Sequence, residues 1–220
     1  MYYDLVASLP HPPHFERAEQ LPITRLRLDQ RLRLLVPAHA EQLVRAQSLI
    51  SWLPDRVLGT ADAAQANEYA ALMASRLEPS LREYVAFRMD QKTLTAALRR
   101  KRSDVGLPPG AVVWGVGPRV RDVQMHWDEP DFHLALLYPW LPQARELLTI
   151  GDARGLERLL MDINWRWLTS CAEKDTFGFA AVFSYFFKWD ILRAWLICDP
   201  QKAKTRFTDL IDQVTHVEHN

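Results

Sequence analysis

The sequence is poor in cysteine and glycine. Its two cysteines, Cys171 and Cys198, are too few for a disulfide framework and indicate two buried thiols in a reduced compartment. Only 8 glycines occur in 220 residues, and runs of β-branched residues are few. Leu, Ala, Arg, Glu and Gln dominate instead and favour helix almost everywhere. We therefore expect an all-α fold.

The sequence also lacks net charge. Lysine plus arginine and aspartate plus glutamate number 27 each, and the pI is near 7.1. The protein therefore has no global field that would attract nucleic acid or an anionic membrane surface. We expect no nucleic-acid partner and only an indirect relation to membranes.

Targeting and membrane-spanning signals are missing as well. The first ten residues, MYYDLVASLP, have no basic n-region, and Asp4 and Pro10 interrupt their apolar run. The most apolar segment, 179–197, carries Lys188, Asp190 and Arg193 in its second half, where each charge would be costly at bilayer depth. We expect a cytoplasmic protein that retains its first residues and buries segment 179–197 as a core helix.

Prolines and apolar periodicity divide the chain into helices. The prolines between residues 10 and 22 predict an extended or turning segment. The helices predicted after it span about 24–35, 38–53, 61–76, 81–102, 132–138, 143–148, 153–169, 179–197 and 200–214. Helix 81–102 is the one expected to break or kink, if any does. Trp165, Trp167, Trp189 and Trp195 are expected to pack in the helical core.

Residues 105–131 interrupt the helical pattern. They contain four of the eight glycines and four prolines, and they predict a long loop or a short hairpin. The chain is then a single helical domain, 1–220, or two lobes, 1–104 and 132–220, joined by this segment.

A faint internal repeat favours two lobes. A leucine pair is followed at the same spacing by a leucine and an arginine in 33–45 and in 146–158. Arg88-Met89-Asp90 is echoed by Lys188-Trp189-Asp190. Self-similarity of this kind marks repeated helical units, although chance also produces it among common helix formers.

Motifs for nucleotide binding and for covalent catalysis are absent. No GxxxxGK[ST] occurs, the pair Gly115 and Gly117 is followed by Pro118, and no GxSxG places a nucleophile. We therefore assign no catalytic residue and no cofactor, and we expect a protein that is not an enzyme.

One cluster has the residue types of a metal site. Residues 126–133, HWDEPDFH, hold two imidazoles and three carboxylates, but their spacing fits no known ligand pattern. We favour a structural interpretation in which Asp131 caps a helix that begins at Phe132. A small metal-dependent hydrolase is the most distant alternative, and we assign no metal ligand.

Four consecutive cations, Arg99-Arg100-Lys101-Arg102, close the helix predicted at 81–102. Positive charge suits a helix C-terminus, but four cations exceed what the dipole uses and spread around most of the helix circumference. Part of the run must face solvent or a partner. The candidate partner-binding residues are this run together with the two basic-x-Asp motifs and Arg193, that is Arg99, Arg100, Lys101, Arg102, Arg88, Asp90, Lys188, Asp190 and Arg193.

Three segments resemble a known family. They are MYYDLVASLP, the stretch DQKTLTAALRRK at 90–101, and 179–211. Together they resemble a bacterial family of unassigned function whose genes lie beside those of A/V-type rotary ATPases, and which is distantly similar to the C/d protein of the ATPase central stalk, named C in archaea and d in eukaryotes. Segment 90–101 is similar to D-x-x-N-L-x-x-x-L-R-x-K, with Thr93 in place of Asn. Segment 179–211 is similar to a closing Y-x-x-K-x-E-I helix and the amphipathic helix after it, with Asp190 in place of Glu.

The resemblance implies a fold and a role. The C/d protein is a funnel of three similar helical lobes that has no active site and transmits torque between the axle and the membrane ring. The resemblance therefore implies a non-catalytic subunit, a central-stalk or coupling component that links the soluble motor to the membrane rotor at the inner face of the cytoplasmic membrane. Its partners would be the rotor axle or the membrane ring, and the isolated protein would be monomeric. A chain of 220 residues holds about two such lobes. The alternative is an assembly or regulatory factor of the same ATPase.

Overall fold

The computed structural model describes residues 1–53, 62–107 and 113–198, and within them it is all-α, as predicted, with no strand. Beside a 3-10 turn at Phe15–Arg17, the described residues form α1 (Tyr3–Ser8), α2 (Arg25–Leu32), α3 (Pro37–Ile50), α4 (Asp62–Ala74), α5 (Pro79–Arg102), α6 (Val120–Met125), α7 (Leu141–Ile150), α8 (Ala153–Lys174) and α9 (Phe179–Ile197). The helix predicted at 200–214 lies outside the described residues.

Local chemistry sets most helix ends. The side chain of Glu78 accepts a hydrogen bond from the N–H of Leu81 at 3.0 Å and caps α5. Asp152 does the same for α8, since its carboxylate accepts from the N–H of Gly155 at 2.7 Å. Gly151, with φ 78°, ends α7 in the left-handed conformation that glycine adopts without strain. These signals lie in the sequence, and α5 and α7 match their predicted bounds within two residues, whereas α8 begins as predicted and ends five residues later.

α5 is a continuous helix of 24 residues, so the break considered near its middle does not form. At 1.5 Å per residue it spans about 36 Å and is the longest element described. One half packs in each of two clusters of buried apolar side chains, with Leu81 and Val85 in the first and Leu94 and Leu98 in the second. α5 therefore positions charged residues in both clusters.

Residues 105–138 differ from the prediction in two ways. The short helix α6 forms inside the segment predicted as a loop or hairpin. The helix predicted at 132–138 does not form, because Phe132 and His133 have φ of 54° and 56° and the chain continues in turns. Phe132 is fully buried, and this burial holds the turn. Asp131 therefore caps no helix, and its carboxylate is bound instead by Arg145 at 3.1 Å.

The two clusters of buried side chains do not follow the predicted lobes. The larger takes residues from α1 to the first half of α5, from the second half of α8 and from α9, together with Val116. The smaller takes residues from the second half of α5, from 114–141, from α7 and from the first half of α8. Apolar packing thus joins the chain before 105–131 to the chain after it, while the division into lobes stays a prediction.

α9 is the central helix of the larger cluster. Its bounds match the prediction, and 14 of its 19 residues are buried. Trp165 and Trp189 are buried, and Trp167 and Trp195 pack against the same cluster, as predicted. Within the described ranges, no helix has both the length and the apolar character needed to cross a membrane. Segment 179–197 is therefore a core helix.

The two cysteines have different surroundings. Cys171 is buried, as predicted. Cys198 is exposed, and the prediction of a second buried thiol is wrong. The reason is its position directly after the last turn of α9, where Ile197 is also exposed and the helix has left the core.

The first ten residues dock onto the end of the α8–α9 hairpin. The backbone N–H of Tyr2 donates to the carbonyl of Phe177 at 2.6 Å, and its hydroxyl is 2.6 Å from Nδ1 of His39 on α3. Leu5 of α1 is buried in the larger cluster. The segment MYYDLVASLP is thus an integral part of the fold.

Candidate functional site

The basic run at the end of α5 contains both exposed and bound side chains. Arg99 and Arg102 are exposed to solvent. Arg100 is half-buried and donates from Nη2 to the carbonyl of Gly106 at 2.9 Å. Since Lys101 is also half-buried, the part of the run that is free to meet a partner is reduced to Arg99 and Arg102.

Lys101 fixes the chain that follows α6. Its Nζ donates to the carbonyl oxygens of Trp127 at 2.8 Å and of Glu129 at 2.7 Å. The same ammonium lies 5.2 Å from the centre of the Phe132 ring. An ammonium offers three donor hydrogens, and a cation here also suits the C-terminal end of the helix dipole. Lys101 therefore serves the fold.

A groove of about 490 Å³ opens beside the end of α5, between it and α7. Arg102 and Arg145 both line this groove, and Arg145 is 46 % exposed while paired with Asp131 at 3.1 Å. Arg145 belongs to no motif in the sequence, and only the fold brings it to the end of α5. We call Arg99, Arg102 and Arg145 the basic surface.

Asp90 lies inside the protein, 3 % exposed. Its carboxylate accepts hydrogen bonds from the hydroxyl of Tyr138 at 2.7 Å and from the backbone N–H of Arg119 at 2.9 Å. Burial raises the pKa of Asp90, and these two hydrogen bonds oppose the rise. Asp90 therefore holds the entry of α6 and the turn before α7 against α5, and it forms no part of a surface.

Arg88 is buried as well, 4 % exposed. Its guanidinium lies 4.1 Å from the centre of the Trp52 ring, and it donates to the carbonyl of Ile50 at 3.4 Å and to the side chain of Gln91. One turn later, Lys92 donates from Nζ to the carbonyl of Leu49 at 2.6 Å. Two cations of α5 thus cap the C-terminal end of α3, where positive charge is favourable.

Asp190 joins α9 to the chain that leaves α3. It is 1 % exposed and accepts from the backbone N–H of Trp52 at 2.7 Å and from the hydroxyl of Ser51 at 3.0 Å. Arg193 donates to the same carboxylate at 3.1 Å and to the carbonyl of Leu53 at 3.3 Å. Burial raises the pKa of Asp190, and the bond from Trp52 is the strongest opposing cause. Asp190 and Arg193 are therefore structural partners.

The predicted partner-binding residues thus fall into three groups. Arg88, Asp90 and Asp190 are interior residues, and we correct their assignment because their burial and hydrogen bonds leave nothing for a partner to contact. Arg100, Lys101 and Arg193 are half-buried and bonded to the backbone. Lys188 is half-buried with its ammonium 5.1 Å from the centre of the Trp165 ring. Only Arg99 and Arg102 lie on the surface as predicted.

The two basic-x-Asp motifs have similar surroundings. In each, the cation lies over a tryptophan, Trp52 for Arg88 and Trp165 for Lys188. In each, the aspartate accepts from one backbone N–H and one hydroxyl of a distant segment. The sequence echo is therefore accompanied by similar contacts.

Two histidines and a glutamate of the cluster 126–133 lie close together. The rings of His126 and His133 lie 4.5 Å apart, and His133 is 3.5 Å from Glu129. Across the part of the chain that the structure describes, no group of three or more His, Cys, Asp or Glu side chains is arranged to hold a metal ion.

Two residues of α5 that bind neighbouring backbone, Lys92 and Thr93, were not predicted from the sequence. Lys92 has its pKa lowered by burial to about 8. Thr93 donates from Oγ1 to the carbonyl of Val116 at 2.8 Å and accepts from its N–H at 2.9 Å. Lys92 lies one turn after Arg88 on α5, and this spacing in the sequence indicates that the two side chains share one face of the helix. The contact between Thr93 and Val116 is set by the path of the chain after α5, and the sequence carries no signal for it.

Comparison with known proteins gives one finding. A family model described as "Protein of unknown function (DUF2764)" matches residues 61–217. Neither the curated proteins nor the solved structures contain a match to this chain.

Proposed function

The chain belongs to this DUF2764 family, and we propose that it is a non-catalytic helical subunit of an A/V-type rotary ATPase. In this proposal it is a central-stalk or coupling component, similar to the C/d protein, that links the soluble motor to the membrane rotor. It acts at the inner face of the cytoplasmic membrane, where it binds the rotor axle or the membrane ring, and it is monomeric when isolated.

The observation that carries the proposal is the role of the residues that resemble the C/d pattern in segment 90–101. The aspartate of the pattern, Asp90, binds the chain at Arg119 and Tyr138. Its two leucines, Leu94 and Leu98, are buried in the smaller cluster. Its lysine, Lys101, holds the carbonyls that follow α6. Four members of the pattern thus make fold-forming contacts, and this supports a shared local fold.

The departure from the pattern is compatible with this interpretation. Thr93 stands where the C/d proteins show Asn, and its hydroxyl both donates to and accepts from the backbone of Val116. An asparagine amide also offers one acceptor and donor hydrogens. An asparagine therefore has the groups needed to make the same two hydrogen bonds.

The remaining cation of the pattern supports a role in binding. Arg99 is exposed and lies one turn before Arg102 on α5, and Arg102 and Arg145 line the same groove. Exposed cations at the rim of an interface mainly raise the association rate and its salt dependence. The basic surface is therefore the candidate contact with an acidic partner protein of the ATPase.

The second candidate is an assembly or regulatory factor of the same ATPase. The basic surface is compatible with it as well, because exposed cations mainly raise the association rate and so also suit a transient contact. The small metal-dependent hydrolase considered from the sequence has no supporting group among the described residues.

Native purification tests the proposal. The protein is tagged at its chromosomal locus and purified in mild detergent, and its partners are identified and quantified by mass spectrometry. A fixed ratio to the catalytic subunits in active, fully assembled ATPase supports a stable stalk component. Recovery only with partial complexes supports the assembly factor, and recovery without any part of the ATPase overturns both.

A further inference from the structure

A groove of about 540 Å³ lies between the N-terminal segment and the α8–α9 hairpin, away from the basic surface. One wall is a single stripe of α9, spaced by three or four residues, formed by Ala181, Ser184, Tyr185 and Lys188. Seven residues separate the first and last of these, so the stripe is about 10 Å long.

The opposite wall is the facing stripe of α8, formed by Thr169, Ala172 and Glu173. Val6, Leu9 and Pro12 of the N-terminal segment form the third side. The small side chains of Ala172 and Ala181 leave space between the two helices. The result is a narrow, mainly apolar channel that is open to solvent.

Although its exposed surface is mainly apolar, the channel is also lined by His11, Thr176 and Ser184. The hydroxyls of Ser184 and Tyr185 are buried, and the hydroxyl of Thr169 donates to the carbonyl of Trp165 at 2.8 Å. The ammonium of Lys188 faces the ring of Trp165 and forms no ion pair with any described residue. Glu173 is exposed and beyond ion-pair distance. Lys188 is therefore the cation that a bound molecule meets at the end of the channel.

We infer that this channel binds an amphipathic carboxylate, with its apolar chain along the small residues of α8 and α9 and its carboxylate at Lys188. Ligand pockets of this volume are usually apolar with a few convergent polar groups, and an unpaired, half-buried ammonium favours an anionic head group. Burial lowers the pKa of Lys188, and a bound carboxylate offsets that cost. Glu173 is the nearest opposing charge and weakens the binding of an anion.

Three probes of equal chain length, decanoate, decanol and decylamine, test the inference on the full-length protein below their micelle concentrations or solubility limits. Isothermal titration calorimetry measures affinity, and the ¹³C-methyl NMR signals of Ala172 and Ala181 locate the bound chain. We expect decanoate to bind most tightly. K188M is expected to weaken the binding of decanoate about tenfold and to leave the binding of decanol unchanged. The control K174M, at an exposed lysine of α8, is expected to change the affinity for neither probe.

Glu173 gives a second test. Because its side chain is exposed, replacing it is not expected to disturb the fold. E173Q is expected to strengthen decanoate binding two- to threefold and to leave decanol unchanged. Equal affinity for the three probes, an unchanged preference in K188M, or alanine signals that do not shift would each overturn the inference.

Discussion

The carboxylate of Asp190 accepts a hydrogen bond from the backbone N–H of Trp52 at 2.7 Å, and this bond ties α9 to the chain that leaves α3. The indole ring of Trp52 is in turn covered by the guanidinium of Arg88 at 4.1 Å. Residues that the sequence marks as charged candidates for partner binding are thereby used to join three helices. A buried charge without partners is costly, so the fold depends on the hydrogen bonds that these residues make.

Lys92 makes stability depend on pH in a defined window. Burial lowers its pKa from 10.5 to about 8, so between these values the unfolded chain binds more protons than the folded chain. Stability therefore rises with pH across that window because of this group, by about 3 kcal/mol. In K92M this contribution disappears. Urea unfolding of both proteins at pH 7.5, 8.5 and 9.5 measures the difference, and parallel profiles would contradict the assignment.

Thr93 is expected to stabilise the fold through its hydroxyl. Thr93→Val keeps the shape and removes the two bonds to Val116, leaving a buried N–H and carbonyl without partners. We expect a loss of about 2 kcal/mol in the free energy of unfolding. Thr93→Ser keeps the hydroxyl and is the matched control. Denaturant unfolding compares the two, and an equal or larger loss in the serine variant would show that the methyl group matters more.

Gly117 is expected to tolerate no side chain. Its φ is 135°, and a Cβ would lie 2.7 Å from Oδ1 of Asp90. Gly117→Ala should therefore cost about 2–4 kcal/mol and disturb the bond between Asp90 and Arg119. At Gly106 a Cβ meets nothing within 4 Å, so Gly106→Ala serves as the control. Thermal unfolding of both variants measures the difference, and similar melting temperatures would contradict the close approach at Gly117.

How far the sequence predicts the fold depends on where the stabilising contacts lie. α9 is correct at both ends because its apolar run and the residues that flank it are local signals. Residues 132–138 have helical composition, yet the burial of Phe132 and its left-handed backbone override that preference. Cys198 is exposed because the helix has left the core by that point.

The candidate site was predicted less well than the fold. A charged residue in a sequence is expected to lie on the protein surface. Arg88, Asp90 and Asp190 lie in the interior instead, and each is hydrogen-bonded to groups far along the chain. Arg145 joins the basic surface only because α7 packs beside the end of α5. Contacts between distant segments decide both outcomes, and no local pattern records them.

The most direct test of the central claim measures binding of the purified protein to the purified ATPase rotor at low and at moderate salt. The wild-type protein is compared with R99S/R102S and with the control R27S/R33S, which removes two exposed arginines from another part of the chain. We predict that both variants keep the wild-type melting temperature and that R99S/R102S alone binds about tenfold more weakly at low salt, with a smaller salt dependence. Absence of wild-type binding at low salt, or equal loss in the two variants, would contradict the account.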